Sequence, residues 1–177
     1  MKNKLIILAI ALVALIGGLG LWGATLPREH QATSRITVAA PPESVYNVMR
    51  DIGMTASWWK DLTSVETVPS IDGWERWKET SGGMSFTLIV DQEEPPLRFT
   101  TRIDTTGHPP FGGTWTYEVA IAAGGHTTVT IREDGTVDNP FFRVATKLMG
   151  THATLDSYLT ALSVKFGQPA TPAHVTP

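Results

Sequence analysis

Residues 36–59 read ITVAAPPESVYNVMRDIGMTASWW, and the order in which their chemistry changes decides the fold. The stretch completes an extended segment from Glu29 to Ala39, in which Ser34, Ile36 and Val38 alternate with Arg35, Thr37 and Ala39 as on the two faces of a strand. Pro41 and Pro42 end it, because proline lacks the amide hydrogen a strand ladder needs yet suits the first turn of a helix. Val45, Val48, Met49 and Ile52 then recur at helical spacing, which predicts a short amphipathic helix stopped at Gly53. TASWWK reads as a second helical turn before an extended pattern resumes over Leu62 to Val68.

Downstream, turn chemistry recurs at Asp72-Gly73, Gly82-Gly83, Pro95-Pro96, His108 to Gly113 and Gly124-Gly125. It separates WERWKET, MSFTLIVDQ, LRFTTRID, TWTYEVAIA and TTVTIREDG, each long enough to cross a sheet. Short connections make neighbouring strands antiparallel, so with Leu62 to Val68 these segments predict a six-stranded meander. Alternation places Met84, Phe86, Leu88 and Val90, then Leu97, Phe99, Thr101 and Ile103, then Trp115, Tyr117, Val119 and Ile121 on one apolar face. Ser85, Thr87, Arg98, Thr100, Arg102, Thr114, Thr116 and Glu118 fall on the other, as expected where water covers it.

An element must cover the apolar face, and residues 139–167 supply it. Asn139 is a good N-cap with Pro140 at the first helical position, and Gly167 closes the pattern. Phe141, Ala145, Leu148, Leu155, Leu159, Leu162 and Phe166 form one apolar stripe, which predicts a single helix of about seven turns and roughly 40 Å. The tail QPATPAHVTP, residues 168–177, is proline-rich and polar and is expected to be disordered.

At the other end, Leu5 to Leu26 carry no charge and follow Lys2 and Lys4. That length suits a bilayer, whose hydrocarbon core of roughly 30 Å takes about 20 apolar residues. Two lysines before the run favour an amino terminus inside and the remaining domain on the extracytoplasmic side. Residues 1–26 are therefore read as a membrane anchor, with Trp22 at an interface. The alternative is a signal peptide whose cleavage leaves the domain secreted or periplasmic, with Leu5 to Ile16 as its apolar region. Of the 14 Lys and Arg, Lys2 and Lys4 lie in this segment, leaving 12 against 17 acids. Such an acidic remainder repels phosphates, which argues against nucleic-acid binding.

A strand, two short helices, a six-stranded meander and a long closing helix make an α+β protein with helix-grip order. On ITVAAPPESVYNVMRDIGMTASWW, FGGTWTYEV and TIREDGTVDNPFFRVATKLMG, the chain resembles the START-like superfamily, also called SRPBCC or polyketide cyclase/dehydrase-like. The likeness covers about residues 30 to 167 and places one ligand-binding domain at 27–167. It implies a curved sheet wrapped around the closing helix with a cavity between them. The same grip serves lipid carriers, receptors for hydrophobic ligands, cyclases and oxygenase domains, so the likeness is specific for fold and open for function. A bent sheet and a straight helix cannot touch everywhere, and either large side chains or a guest must fill the gap.

Four of the six tryptophans, Trp58, Trp59, Trp74 and Trp77, stand in that first half. Trp74 and Trp77 are three apart, so on a regular strand they face opposite sides and one of them lines the cavity. Trp58 and Trp59 fall near its mouth, where an apolar ring with a polar N–H faces both ligand and water. Trp58, Trp59, Trp77, Phe86, Leu88, Phe99, Trp115, Tyr117 and Leu148 are the expected apolar and aromatic contacts, with core packing as the competing role for each tryptophan. Glu133 shares a parity with Val129 and Ile131, which directs it inward; it either pairs with Arg143 or another arginine near the start of the long helix, or serves binding or acid/base chemistry. His152, four residues after Leu148, reaches either the cavity or the boundary of the core.

Metal-binding spacing is missing from the five histidines, there is no cysteine, and no G-x-S-x-G elbow or phosphate-binding loop occurs. No cofactor and no metal are implied. The expectation is a membrane-tethered domain that binds a hydrophobic small molecule such as a lipid, an isoprenoid or an aromatic compound. Two alternatives stand beside it: a cofactor-independent cyclase or dehydratase using Glu133, Tyr117 or His152, and an interaction module whose interior is filled by its own side chains.

Overall fold

A computed structural model describes residues 2–176. Helix α1 (Lys2–Thr25) leads into strand β1 (Glu29–Val38), then α2 (Pro42–Arg50), a 3₁₀ turn at Ile52–Met54 and α3 (Thr55–Trp58). The meander follows as β2 (Leu62–Ile71), β3 (Trp74–Ser81), β4 (Met84–Glu94), β5 (Arg98–Ile103), β6 (Phe111–Ile121) and β7 (Thr127–Val137). Helices α4 (Pro140–Met149) and α5 (Ala153–Lys165) and a short strand β8 (Ala173–His174) complete the chain.

All pairings in the sheet are antiparallel, in the order β2-β3-β4-β5-β6-β7-β1-β8. From β3 on, each meander strand pairs with its predecessor, and β1 returns to the edge of β7, so a long-range closure joins the chain's first strand to its last long one. Helices α2 and α5 lie on the concave face. Val45, Tyr46 and Met49 from α2 and Leu155, Tyr158, Leu159 and Leu162 from α5 are buried together with Ile36, Val38, Phe99, Val129 and Ile131. The architecture is the helix grip that the order of elements predicts.

The closing helix differs from the expected single rod. It breaks between Met149 and Ala153, where Gly150 takes φ +90°. Glycine has no Cβ to oppose that conformation, and the apolar stripe has its widest gap, from Leu148 to Leu155, at the same place. The two halves then serve different neighbours. Helix α5 sinks into the sheet, with Leu155, Leu159 and Leu162 fully buried, whereas α4 packs chiefly against α1 and only lightly against β7. Asn139 caps α4 by accepting from the amides of Phe141 at 2.9 Å and Phe142 at 3.4 Å.

Contact between α1 and α4 is close. A Cβ on Gly23 would stand 2.1 Å from the Pro140 carbonyl oxygen, and one on Gly20 would touch the Phe141 ring at 3.4 Å. Arg143 secures the junction: its Nε donates to the Val137 carbonyl at 2.8 Å, and Nη1 reaches the Leu26 carbonyl at 3.4 Å. Gly23→Leu should separate the two helices. The expected result is faster hydrogen exchange of the α4 amides with β6 and β7 protection unchanged; equal α4 exchange would show that this packing does not hold α4.

The carboxy-terminal segment, expected to be disordered, contributes a short pairing to the sheet. Ala173 and His174 pair with Arg35 and Ser34 of β1, and His174 Nε2 lies 2.8 Å from Asp156 Oδ2. The same Asp156 accepts from the buried Ser34 hydroxyl at 2.7 Å. One carboxylate on α5 thus fastens both β1 and the tail, a contact between distant residues that local composition does not reveal.

Candidate functional site

Between the concave face and the helices lies a cavity of about 570 Å³. Its floor is the inward row of the meander: Phe86 and Leu88 from β4, Phe99 and Thr101 from β5, Trp115 and Tyr117 from β6. Cross-strand register sets them side by side, with Phe99 opposite Tyr117, Thr101 opposite Trp115, and Trp115 opposite Glu133. Trp59 and Tyr158 wall one side, and Phe142, Thr146 and Met149 of α4 lie at another.

The aromatic residues form one cluster rather than isolated contacts. Phe99 and Tyr117 stack at 4.2 Å and 9°, and Tyr158 meets Trp59 edge-on at 5.1 Å and Trp115 edge-on at 5.9 Å. Such edge and offset pairings suit the ring quadrupoles. Trp59 is fixed further by its indole N–H, which donates to Ser157 Oγ at 3.0 Å, while the Ser157 hydroxyl donates to Asp61.

Trp59, Phe86, Leu88, Phe99, Trp115, Tyr117 and Glu133 therefore line the cavity as their sequence positions suggest. Four other expected residues do not. Trp58 packs edge-on against Tyr158 at 5.1 Å from the core side. Trp77 lies under the 3₁₀ turn, where a Cβ on Gly53 would stand 3.0 Å from its ring, and its N–H donates to Glu75 at 2.5 Å. Leu148 is 73 % exposed, because the break at Gly150 uncouples α4 from the stripe of α5. His152 stacks on His174 at 3.9 Å instead of entering the cavity, a partner supplied by the ordered tail.

Glu133 points inward but does not pair with Arg143, whose guanidinium is taken by backbone carbonyls. Its partner is His30, with Nε2 3.6 Å from Oε1. The Glu133 carboxylate raises the His30 pKa, while burial opposes the rise. Room for the imidazole comes from Gly135, directly opposite His30 on β7, where a Cβ would fall 2.4 Å from the ring. Gly135→Ala should push the ring off Glu133 and bring the His30 titration down toward the ordinary 6.5, as followed by its NMR imidazole shifts. An unchanged midpoint would place the source of the rise elsewhere.

The sequence reading missed Glu79. It is 6 % exposed, lines the cavity from β3, and has no hydrogen-bond or ion-pair partner among the described residues. Burial pushes its carboxyl up to about 7, since a charge removed from water without a partner is disfavoured. Burial also raises the phenols of Tyr117 and Tyr158, and the nearby Glu79 charge adds to both rises. Both remain neutral hydroxyls beside it. The available signal was parity: Glu79 shares a face with Trp77 and stands opposite Phe86 on β4. A carboxylate in an otherwise polar strand, WERWKETS, carries no mark of burial until the neighbouring strands are in place. Among the described residues no group of three or more His, Cys, Asp or Glu is set to hold a metal ion.

A sheet that grips a helix around an aromatic hollow is the architecture of START-like proteins. The chain belongs to the family described as polyketide cyclase / dehydrase and lipid transport, whose model matches residues 29–162. No curated protein matches it by sequence. Among solved structures it is similar to a START superfamily protein from Mycobacterium smegmatis, at 17 % identity over 78 % of this chain and 97 % of that one, with TM-score 0.62. It is also similar to the ZhuI aromatase/cyclase from Streptomyces sp. R1128, at 14 % identity over 78 % and 94 %, with TM-score 0.62. A Thermus thermophilus protein aligns at 17 % identity over 77 % and 97 %, again with TM-score 0.62. At these identities the likeness is one of fold.

Proposed function

We propose that this chain is a membrane-tethered carrier or receptor that holds a hydrophobic small molecule between its sheet and its closing helices. The observation that carries the reading is the cavity of about 570 Å³, roomy enough for a small lipid or polycyclic guest and walled largely by aromatic and aliphatic side chains. Burying a guest's apolar surface there contributes roughly 25 cal/mol per Å² before the costs of binding. The interaction-module reading, which needs a filled interior, has no support from a hollow of this size.

The tether is α1, a helix of 24 residues with mean hydropathy 2.7 over its most apolar window. By length and composition it suits a bilayer. Lys2 and Lys4 ahead of it favour an extracytoplasmic domain. Its packing on α4, whose other side faces the cavity through Phe142, Thr146 and Met149, brings the anchor beside the wall of the hollow. Phe141 and Leu148 of α4 remain exposed, apolar groups that a membrane surface would accommodate.

Native mass spectrometry of the full chain released from detergent tests the reading. A co-purifying hydrophobic molecule lost on Trp115→Ala or on heating is the expected result; a chain free of bound mass that also takes up no added apolar ligand would overturn it. A second reading, a cyclase or dehydratase working by proton transfer, draws support from Glu79, a carboxyl titrating near neutrality against apolar walls. It requires turnover of the bound molecule that Glu79→Gln abolishes while binding persists.

A further inference from the structure

The charged groups of the cavity wall are unbalanced. Asp61, Glu79 and Glu133 are acids and His30 is a base, and no lysine or arginine among the described residues reaches the wall. His30 is committed to Glu133 at 3.6 Å, and Asp61, exposed at the edge, accepts from Ser157. Glu79 is left as a buried carboxyl without a partner, in a wall that also holds Trp59, Trp115, Tyr117 and Tyr158, and its charge raises the pKa of both tyrosines.

A free fatty acid or a phosphorylated lipid head placed here would set a second negative charge beside Glu79 in a medium that screens it poorly. A protonated amine reverses the sign. Its ammonium gives Glu79 a counter-ion, donates to phenol oxygens, which keep their lone pairs because both tyrosines stay neutral, and gains from the electron-rich ring faces. Its hydrocarbon part takes the apolar remainder of the hollow.

We propose that the cavity selects hydrophobic organic cations, amines or quaternary ammonium compounds, with Glu79 as the anchoring carboxylate and the surrounding aromatic rings as the cage of the charged head. This names the ligand class of the site and rests on the binding function proposed above. Glu79 belongs to β3, Tyr117 to β6 and Tyr158 to α5; the cross-strand neighbours Val65 of β2 and Phe86 of β4 carry no charge. Asp61 at the exposed edge, and Glu133 with His30, are the other charged groups of the wall. Among these acids Glu79 is the buried one without a partner, and it is the charge the ammonium meets.

The selectivity also has a pH dependence. Burial pushes the Glu79 carboxyl up to about 7, so amine affinity is expected to rise between pH 6 and 8 as the carboxyl ionises, more than that of a neutral alcohol. A cationic guest lowers the Glu79 pKa in return and takes protons off the protein as it binds.

Three ligands of one shape test the proposal: adamantan-1-amine, adamantan-1-ol and adamantane-1-carboxylate, titrated into the full chain in detergent micelles by calorimetry, with protein-free micelles as reference. The amine is expected to bind at least about tenfold more tightly than the alcohol at pH 8, the worth of one charge-assisted contact, and the carboxylate most weakly. Glu79→Gln should reduce the preference for amine over alcohol to less than about threefold and weaken its pH dependence to the part that His30 contributes. An amine no tighter than the alcohol, or a preference that survives in Glu79→Gln, overturns the cation proposal alone. Absence of binding by all three overturns the small-molecule reading as well.

Discussion

Glu79→Gln should stabilise the folded chain by about 3 kcal/mol at pH 8 and leave it nearly unchanged at pH 4.5. The carboxyl moves from 4.5 to about 7 on folding, and each unit corresponds to about 1.4 kcal/mol. Because the folded pKa is the higher one, the stabilising state is the protonated acid. Its contribution is complete below pH 4.5 and is lost as pH rises through about 7. Glutamine is a neutral side chain of the same shape, so it stands in for the protonated acid at every pH and does not titrate. His30, also raised, loses its own contribution with rising pH, but equally in both proteins, and cancels from the difference. Denaturant midpoints of wild type and variant in the same micelles, compared from pH 4.5 to 8, give the measurement. Parallel profiles would mean that the carboxyl is hydrated in the folded state. A carboxyl that costs stability at neutral pH, where glutamine would avoid the cost, fits the ligand-anchoring role proposed for Glu79.

Phe99→Ala should destabilise the fold by about 3–5 kcal/mol, a large share of the total for one domain. Phe99 is 1 % exposed, stacks flat on Tyr117 and meets Tyr46 edge-on at 5.7 Å. It joins the solid core under α2 to the floor of the hollow. Removing the ring loses apolar burial and both aromatic contacts, and it enlarges the cavity toward Tyr46. The loss is read as a drop in denaturation midpoint at unchanged slope. A cost below about 1 kcal/mol would mean that neighbouring side chains collapse into the space, and that this wall is far more plastic than close packing implies.

The two substitutions sit on opposite sides of one boundary. Phe99 stands where the hollow gives way to the zone in which α2, α5 and the sheet make full contact, and Glu79 lies in the wall of the hollow itself. The same sheet curvature produces both, because helices laid across a bent surface touch it in one zone and stand off in another.

Local chemistry carried most of the architecture. Pro41 and Pro42 must end β1 and can begin α2, and paired glycines must turn hairpins. Alternation over Phe86 to Leu88, Phe99 to Thr101 and Trp115 to Tyr117 can belong only to half-buried strands. The inward parity of Glu133 follows from the same period of two. These are properties of a residue and its immediate neighbours, and they survive any tertiary arrangement. What needed three dimensions was every matter of partners. His30 meets Glu133 because β1 returns to β7; His152 leaves the cavity because the tail brings His174 to it; Leu148 turns outward because Gly150 breaks a stripe that continuous spacing would carry through. Glu79 is buried only because the neighbouring strands β2 and β4 and the elements over the sheet close around it. Sequence period determines which face a side chain takes, since the backbone repeat alone sets it. Only the packed fold decides whether that face meets water, another side chain or a hollow, because burial and its electrostatic consequences are sums over neighbours far away in the chain.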